Sequence, residues 1–292
     1  RRRLQPAMIP SMRHDISTND PRDVIRNVAL AADGVWRPTG KSTVSYPEEG
    51  HDTCFGLEEG SFWFAHRNRC IAAVVSRYEP PHGLPILDVG GGNGFVARML
   101  HGMGYRTILV EPGDSGIRNA RARGLPGLVQ ASTDDLDILP GSVGAIGLFD
   151  VIEHIPDDAA ALRAFHRMLA PGGRVYVTVP AHAWLWSSAD DHAGHQRRYT
   201  KPGIRDLFTR CGYDVDFASY YFWPLPLPML AGRVLAEMIS RRRDHSGRAT
   251  SEHAGKHPWL DKLLAREEAR LRRGRSIPMG ASCIVAATKP TP

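Results

Sequence analysis

Between residues 85 and 179, short apolar runs alternate with longer segments whose apolar positions recur every three or four residues. The short runs predict strands at 85–89, 106–111, 127–131, 143–149 and 174–179. The longer period predicts helices at 94–102, 114–123, 133–137 and 157–170, the last stopped by Pro171-Gly172-Gly173. A helix at 202–211 and strands at 213–219 and 281–288 follow. Strands alternating with helices build a parallel sheet covered on both faces. The expected class is therefore α/β, with a seven-stranded, mostly parallel, doubly wound sheet.

The flanks have other patterns. Residues 1–40 form an N-terminal arm with one predicted helix at 22–32, opened by Asp20-Pro21. Residues 1–10 are expected to be a trimmed or appended end. Residues 41–80 form an N-terminal helical cap or lid, dense in aromatics, with a helix at 62–78 that carries Ile71, Val74, Val75 and Tyr78 at helical spacing. Residues 81–220 are the core. A helical insertion at 221–280 separates the last two strands, and 281–292 return to the core as last strand and tail. Within the insertion, Met229–Ile239 and His257–Arg273 read as helices around a polar linker, Asp244–Lys256. Glu268 stands four residues before Arg272, a stabilising helical spacing.

Composition narrows the function. At 292 residues, 42% hydrophobic and 23% charged, the chain resembles a soluble globular protein. Six of the positive charges behind its net charge of +6 sit in two short runs, Arg1–Arg3 and Arg241–Arg243. Basic residues are not interleaved with aromatics along a face, so nucleic acid is not an expected partner. Cys54, Cys70, Cys211 and Cys283 form no C-x-x-C pair and read as reduced thiols of a cytoplasmic enzyme. The most apolar segment, 220–232, is too short to span a bilayer and contains Pro224, Pro226 and Pro228.

The chemistry starts at Leu87-Asp88-Val89-Gly90-Gly91-Gly92-Asn93-Gly94-Phe95, a buried strand turning into a helix. Glycines at alternate positions let the backbone approach a ligand, and the helix that follows offers free N–H groups. A dinucleotide needs G-x-G-x-x-G, but counting from Gly90 the third glycine falls on Phe95. Asp88 would repel a pyrophosphate and suits a cationic amino-acid group instead. Glu111, 23 residues after Asp88, stands where an acid accepts ribose hydroxyls; a plain surface acid is the alternative.

Three more segments follow in order: Phe149-Asp150-Val151-Ile152-Glu153-His154-Ile155, Pro171-Gly172-Gly173 leading into Pro180, and a loop reading P-x-H-x-x-L-W-S-x-x-D-x-x-x-G-H-x-R-R-Y from Pro180 to Tyr199. With Asp88-x-Gly90-x-Gly92-x-Gly94 they resemble the class I (Rossmann-like) S-adenosylmethionine-dependent methyltransferases, and the loop resembles a bacterial subgroup of them. The resemblance implies an antiparallel last strand. It implies S-adenosylmethionine as cofactor and S-adenosylhomocysteine as product. The implied cofactor-binding residues are Asp88, Gly90, Gly92, Gly94, Phe95, Glu111, Pro112, Ser132, Thr133, Asp150 and Val151. Ser132 departs from the family, which places an adenine-binding Asp there; Asp134 is the substitute in reach.

The acceptor is expected beyond the carboxyl ends of the strands. His154, Glu153, His182 and His195 are the catalytic candidates, because a histidine can take a proton near neutral pH; holding loops by hydrogen bonds is the alternative for each. Phe62, Trp63, His66, Arg67, Trp186, Arg198 and Tyr199 are the candidate substrate-binding residues. Arg67, Arg69, Arg197 and Arg198 would grip an anionic group, or else face solvent. Asp190, Asp191, His192 and His195 cluster in sequence, but Asp-Asp pairs also cap helices, so no metal is assigned. The expected activity is methyl transfer to an O, N or C atom of a small or medium, anionic acceptor such as a natural product or glycan. A lipid-linked acceptor at a membrane surface, an NAD-dependent oxidoreductase and a non-catalytic relative are the alternatives. Residues 220–243 are expected to act as a lid, a homodimer contact or a peripheral membrane contact.

Overall fold

The computed structural model of the protein describes residues 19–40, 55, 56, 58, 60–223, 226 and 258–291. The expectations for residues 1–10, Cys54, the helix at 229–239 and the linker at 244–256 lie outside them.

The first departure from expectation is at the N-terminal side. The predicted helix at 22–32 is instead a short 3-10 turn, Pro21–Asp23, followed by a hairpin of β1 (Val28–Leu30) and β2 (Trp36–Pro38). Asp20 caps the turn, its Oδ1 accepting from the Arg22 N–H at 2.9 Å. The chain then leaves helical geometry, because Asn27 is tied to the segment 135–137. Its Nδ2 donates to the Asp135 carbonyl and its Oδ1 accepts from the Asp137 N–H, both at 2.8 Å. The readable signal was Asp33-Gly34, a turn pair in which Gly34 takes φ +80°.

The remaining elements follow the sequence pattern closely. They are α1 (Phe62–Arg77), β3 (Ile86–Val89), α2 (Phe95–Gly102), β4 (Thr107–Val110), α3 (Asp114–Ala122), β5 (Leu128–Val129), β6 (Val143–Phe149) and α4 (Asp158–Met168). After them come β7 (Leu169–Pro180), α5 (Ser188–Ala193), α6 (Lys201–Arg210), β8 (Asp214–Tyr221), α7 (Pro258–Arg272) and β9 (Ser282–Thr288). Side-chain caps begin several helices: Ser61 for α1, Asp157 for α4 and Thr200 for α6. Pro171-Gly172-Gly173 does not separate helix from strand as expected. The helix ends at Met168, and the Pro-Gly-Gly lies inside an irregular start of β7, where the Gly172 N–H donates to the Lys289 carbonyl at 3.0 Å.

The sheet has nine strands in the order β1-β2-β5-β4-β3-β6-β7-β9-β8. The seven expected strands run without interruption from β5 to the edge strand β8, and the hairpin adds two beyond β5 at the opposite edge. The five strands from β5 to β7 are parallel, and β9 runs antiparallel to both β7 and β8. Neighbouring residues of each strand feed opposite faces: Ile86 packs with α1, α2 and α7, and Leu87 packs with α4 and α6. Glu268 pairs with Arg272 at 2.8 Å, as its spacing predicts, and also with Arg69 of α1 at 3.4 Å. The carboxyl ends of β3 to β8 and the start of β9 open onto one side. The turn 90–94 and the loops after 110, 149, 180 and 221 therefore share one rim.

Ile146, fully buried on β6, should cost about 2–5 kcal/mol when truncated to Ala. Leu30→Ala on the outermost strand, at a side chain 57% exposed, should change stability by roughly 0.5 kcal/mol or less. Urea unfolding midpoints of the two variants check the assignment of core and edge.

Candidate active site

The glycine turn is as tight as its sequence requires. Gly90, Gly92 and Gly94 have φ of +64°, +50° and +73°, where side chains are strained. A Cβ on Gly94 would stand 2.5 Å from Leu125 Cδ1. Glu111 ties the turn to the end of β4: its Oε2 accepts from the Gly92 N–H at 2.9 Å and its Oε1 from the Gly113 N–H at 2.8 Å. Asp88 is 1% exposed, and neither of its oxygens has a partner in hydrogen-bond geometry among the described residues. Burial pushes its carboxyl up to about 7, with the Arg67 charge and the nearby Ala97 N–H opposing and Glu111 adding to the rise.

A clamp that the sequence reading missed holds the other side of the turn. Arg123 pairs with Glu58 at 2.8 Å, donates to the Asn93 carbonyl at 2.6 Å and lies over the rings of Phe55 and Phe95. Asn93 reaches Glu58 Oε1 at 3.2 Å and accepts from Asn119 at 2.9 Å. Phe95 opens α2, and its carbonyl accepts from Asn68 at 3.1 Å. Pro112 follows Glu111 on the rim. Ser132 caps the 3-10 turn that begins at Thr133, accepting weakly from the Asp134 N–H at 3.4 Å. Val151 packs on Gly90, where an added Cβ would meet its Cγ2 at 3.0 Å.

Beside the turn lies a cavity of about 240 Å³ walled by Trp63, Asp150, Glu153, Pro180, His195, Arg198, Tyr221, Ala281 and Ser282. Five of these nine were named from the sequence as site residues. Asp150, at φ +60°, pairs with Arg67 Nε at 2.8 Å and accepts from Thr178 Oγ1 at 3.0 Å. Burial opposes the charge on Arg67, but the surrounding carboxylates, Asp150 first, outweigh it and raise the guanidinium's pKa. Glu153 is fully buried, and among the described residues neither of its carboxyl oxygens has a partner in hydrogen-bond geometry. Burial, then the Asp150 charge, raises its carboxyl well above the usual range. His154 and His195 meet edge to face with ring centroids 4.9 Å apart. Burial, then its neighbour His195, lowers His154.

Asp190, weighed from the sequence only as one of a cluster, organises this wall. It is 1% exposed. Its Oδ1 meets His195 Nδ1 at 2.8 Å and Arg198 Nε at 2.7 Å, and its Oδ2 meets Arg198 Nη2 at 3.0 Å. Burial works against its charge, but the bonds from Arg198 and His195 prevail and hold its carboxyl down at about 2. Its Oδ2 also accepts from the Ser187 N–H at 2.7 Å, so the helix-capping role that the sequence suggested for an Asp here coexists with the histidine contact.

Of the other named residues most lie off the cavity wall, while Trp63 and Arg198 are on it. His66 is buried between α1 and α7, 3.3 Å from both Glu267 and the Cys70 sulfur. Trp63 stacks on Phe222 at 3.7 Å, and Phe62 packs on the same cluster. His182 stacks on Trp184 and Tyr220, with ring centroids 5.2 and 4.7 Å away. Burial, then Arg198, lowers its pKa. Trp186 is exposed and donates to Asp191 at 2.9 Å. The Tyr199 hydroxyl donates to Asp158 at 2.8 Å beneath the loop. Arg67, Arg69, Arg197 and Arg198 each pair with a carboxylate, respectively Asp150, Glu268, Asp158 and Asp190.

The sequence relationships agree with this geometry. A Mycolicibacterium smegmatis protein named as a probable S-adenosylmethionine-dependent methyltransferase is 25% identical over 224 residues, covering 75% of this chain and 82% of that protein. The ubiquinone biosynthesis O-methyltransferase of Xylella fastidiosa is 33% identical over 110 residues, covering 36% of this chain and 45% of that protein; the chain thus spans under half of that relative's length. Among solved structures, a chain of the complex of the Haloferax volcanii Trm112 methyltransferase activator superposes with a TM-score of 0.57 at 18% identity, over 84% of this chain and 100% of that one. Haemonchus contortus phosphoethanolamine N-methyltransferase 2, solved with S-adenosyl-L-methionine, gives 0.52 at 19% identity, over 88% of this chain and 62% of that one. These two likenesses show the fold. Residues 63–216, just over half of the chain, match the methyltransferase domain family. The chain belongs to that family, and it is an S-adenosylmethionine-dependent methyltransferase built on a Rossmann-like sheet.

Proposed function

We propose that the protein methylates a hydroxyl oxygen of a small or medium acceptor whose reacting end sits in the cavity beside Asp150 and Glu153. The observation that carries this reading is the buried, unpartnered Glu153 carboxyl facing His154 and His195. Such a set suits an acceptor that must lose a proton, as a hydroxyl does and a free amine does not. The partial match to ubiquinone biosynthesis O-methyltransferases supports oxygen as the methylated atom. A volume of about 240 Å³ favours a compact reacting group. Arg198 lines the cavity, but Asp190 already balances it, so recognition rests on the hydroxyl and a negative charge on the acceptor is secondary.

The residues present fit the methyl donor. Two features prepare the site for it: the unpartnered Asp88 carboxyl and a turn with no room for side chains. S-adenosylmethionine supplies an electrophilic methyl on a sulfonium, whose sulfur keeps the bonding electron pair on leaving. Asp88 faces the cationic amino-acid end. Glu111, at the end of β4 beside the turn, would accept the ribose hydroxyls. Phe95, Pro112, Ser132 and Thr133 border the base, and Asp150 and Val151 border the methionine part. Trp63 and Tyr221 wall the acceptor from water. Glu153, His154 and His195 draw the hydroxyl proton away, with Asp190 fixing the His195 ring.

Asp88→Asn and Glu111→Ala should each weaken S-adenosylmethionine binding at least tenfold, about 1.4 kcal/mol, by calorimetry. Unchanged affinity in both would remove them from the cofactor site. With the Asp88 carboxyl raised to about 7, its anion forms as pH rises. Cofactor affinity of the parent protein should therefore increase from pH 6 to pH 8, and Asp88→Asn should flatten that profile.

His154→Ala should lower kcat by roughly 100-fold against the best acceptor in a panel of phenols, amines and sugars, assayed with methyl-labelled cofactor. Cofactor affinity should stay as in the parent. Transfer confined to amines would overturn the hydroxyl assignment.

A further inference from the structure

We infer that Glu153, His154 and His195 form a binding site for a divalent transition-metal ion of the zinc type, deepening the proposed reading by naming what draws the proton from the hydroxyl. One ligand atom from each lies within 4.8 Å of the other two. Two imidazoles and a carboxylate are a donor set that zinc and its first-row neighbours favour, whereas magnesium and calcium prefer oxygen alone. Around a tetrahedral ion bound at about 2.0–2.2 Å, such atoms stand roughly 3.5 Å apart. The set is therefore spread by about an ångström more than an ion would hold it, which rotations of the three side chains can close.

An acid near two histidines is not enough for a site, and two further observations point to a ligand. Glu153 is completely buried beside the second acid, Asp150, yet among the described residues neither carboxyl oxygen has a partner in hydrogen-bond geometry. Unpaired buried carboxyls are costly, and a cation is the partner their charge calls for. The histidines are also held from behind as metal-bound histidines are. Asp190 Oδ1 sits 2.8 Å from His195 Nδ1, which leaves Nε2 as the ligand nitrogen. The carbonyls of Ala193 and Gly194 face the His154 ring. Glu153 and His195 line the cavity, so an ion held by three protein ligands keeps an open position toward the acceptor oxygen. Bound there, the oxygen gives up its proton to solvent more readily and then attacks the methyl carbon, as the carbon–sulfur bond breaks and its electron pair remains on sulfur.

The test uses the full chain freed of metal by a chelator. Zinc binding by calorimetry and cobalt binding by visible d–d absorption should both show one ion per chain, with magnesium far weaker. His154→Ala and His195→Ala should each weaken zinc at least tenfold, and Asp190→Asn by 10–100-fold, as expected for loss of a supporting carboxylate. Parent-like S-adenosylmethionine affinity certifies that each variant is folded; where Asp190→Asn fails that check, the two histidine variants decide. No stoichiometric zinc binding, or binding indifferent to both histidine variants, overturns the site. Hydroxyl methylation by a protein that binds no zinc would overturn the metal site and leave the proposed acceptor standing. Zinc binding in a protein that methylates only amines would support the site and remove the acceptor.

Discussion

The cavity wall depends on one buried carboxylate. Asp190 receives two bonds from one edge of the Arg198 guanidinium, the ring of His195 and the cap of α5. Arg198 in turn donates to the Ala181 carbonyl at 3.0 Å, which fixes the loop to the end of β7. A loop of twenty residues has many conformations to lose, and a charged network out of water is what selects one of them. Remove Asp190 and Arg198 is left buried without its counter-charge, a loss typically of about 3–5 kcal/mol. The same carboxylate sets the direction of His195, so loop stability and site chemistry are coupled through one side chain.

Charge matching explains which groups remain available. Arg67 is balanced by Asp150 and Arg123 by Glu58, both pairs bridging the cap to the sheet rim. Asp88 and Glu153 are the buried acids that the described residues leave with no hydrogen-bond partner on either oxygen. They lie at the ends of neighbouring parallel strands, β3 and β6, one below the glycine turn and one beside the cavity. A protein does not keep two such groups for stability, since burying an unpaired carboxyl opposes folding. Their placement on either side of the reacting centre is the physical reason for assigning one to the donor's cationic end and the other to the acceptor.

Much of this was legible in the residues. Alternating periodicities located the seven expected strands to within a few residues, because strands buried on both faces read as continuous apolar runs. The glycine spacing, with Phe95 where a dinucleotide turn needs glycine, pointed to the cofactor class. The N-terminal hairpin was not legible from periodicity: Val24, Ile25 and Val28 have helical spacing, and the chain leaves the helical path because Asn27 bonds residues more than a hundred positions away. Glu58 and Arg123 were missed for the same reason, being 65 positions apart in a chain with no local signal for their pairing. Four histidine and acid candidates could be named, but their grouping could not. Only the fold brings the strand-6 end to the loop after strand 7 and sets His182 aside in an aromatic stack.

Backbone strain marks the same place independently. Asp150, His182 and Phe222 are the non-glycine residues with positive φ among those described, at +60°, +59° and +60°. Each stands one or two residues beyond the carboxyl end of β6, β7 or β8. Such conformations cost on the order of 1–3 kcal/mol each and persist only where the surroundings over-determine them. The surroundings here are the Arg67 pair for Asp150, the aromatic stack for His182 and the Trp63 ring for Phe222. Three strands that end at the same rim therefore turn abruptly there, and the turns aim a carboxylate and an aromatic wall toward one cavity. A regular exit from β6 would carry the Asp150 side chain away from Arg67, and the cap helix would lose its charged contact with the reaction site. The strain is thus tied to the contact between α1 and the sheet rim.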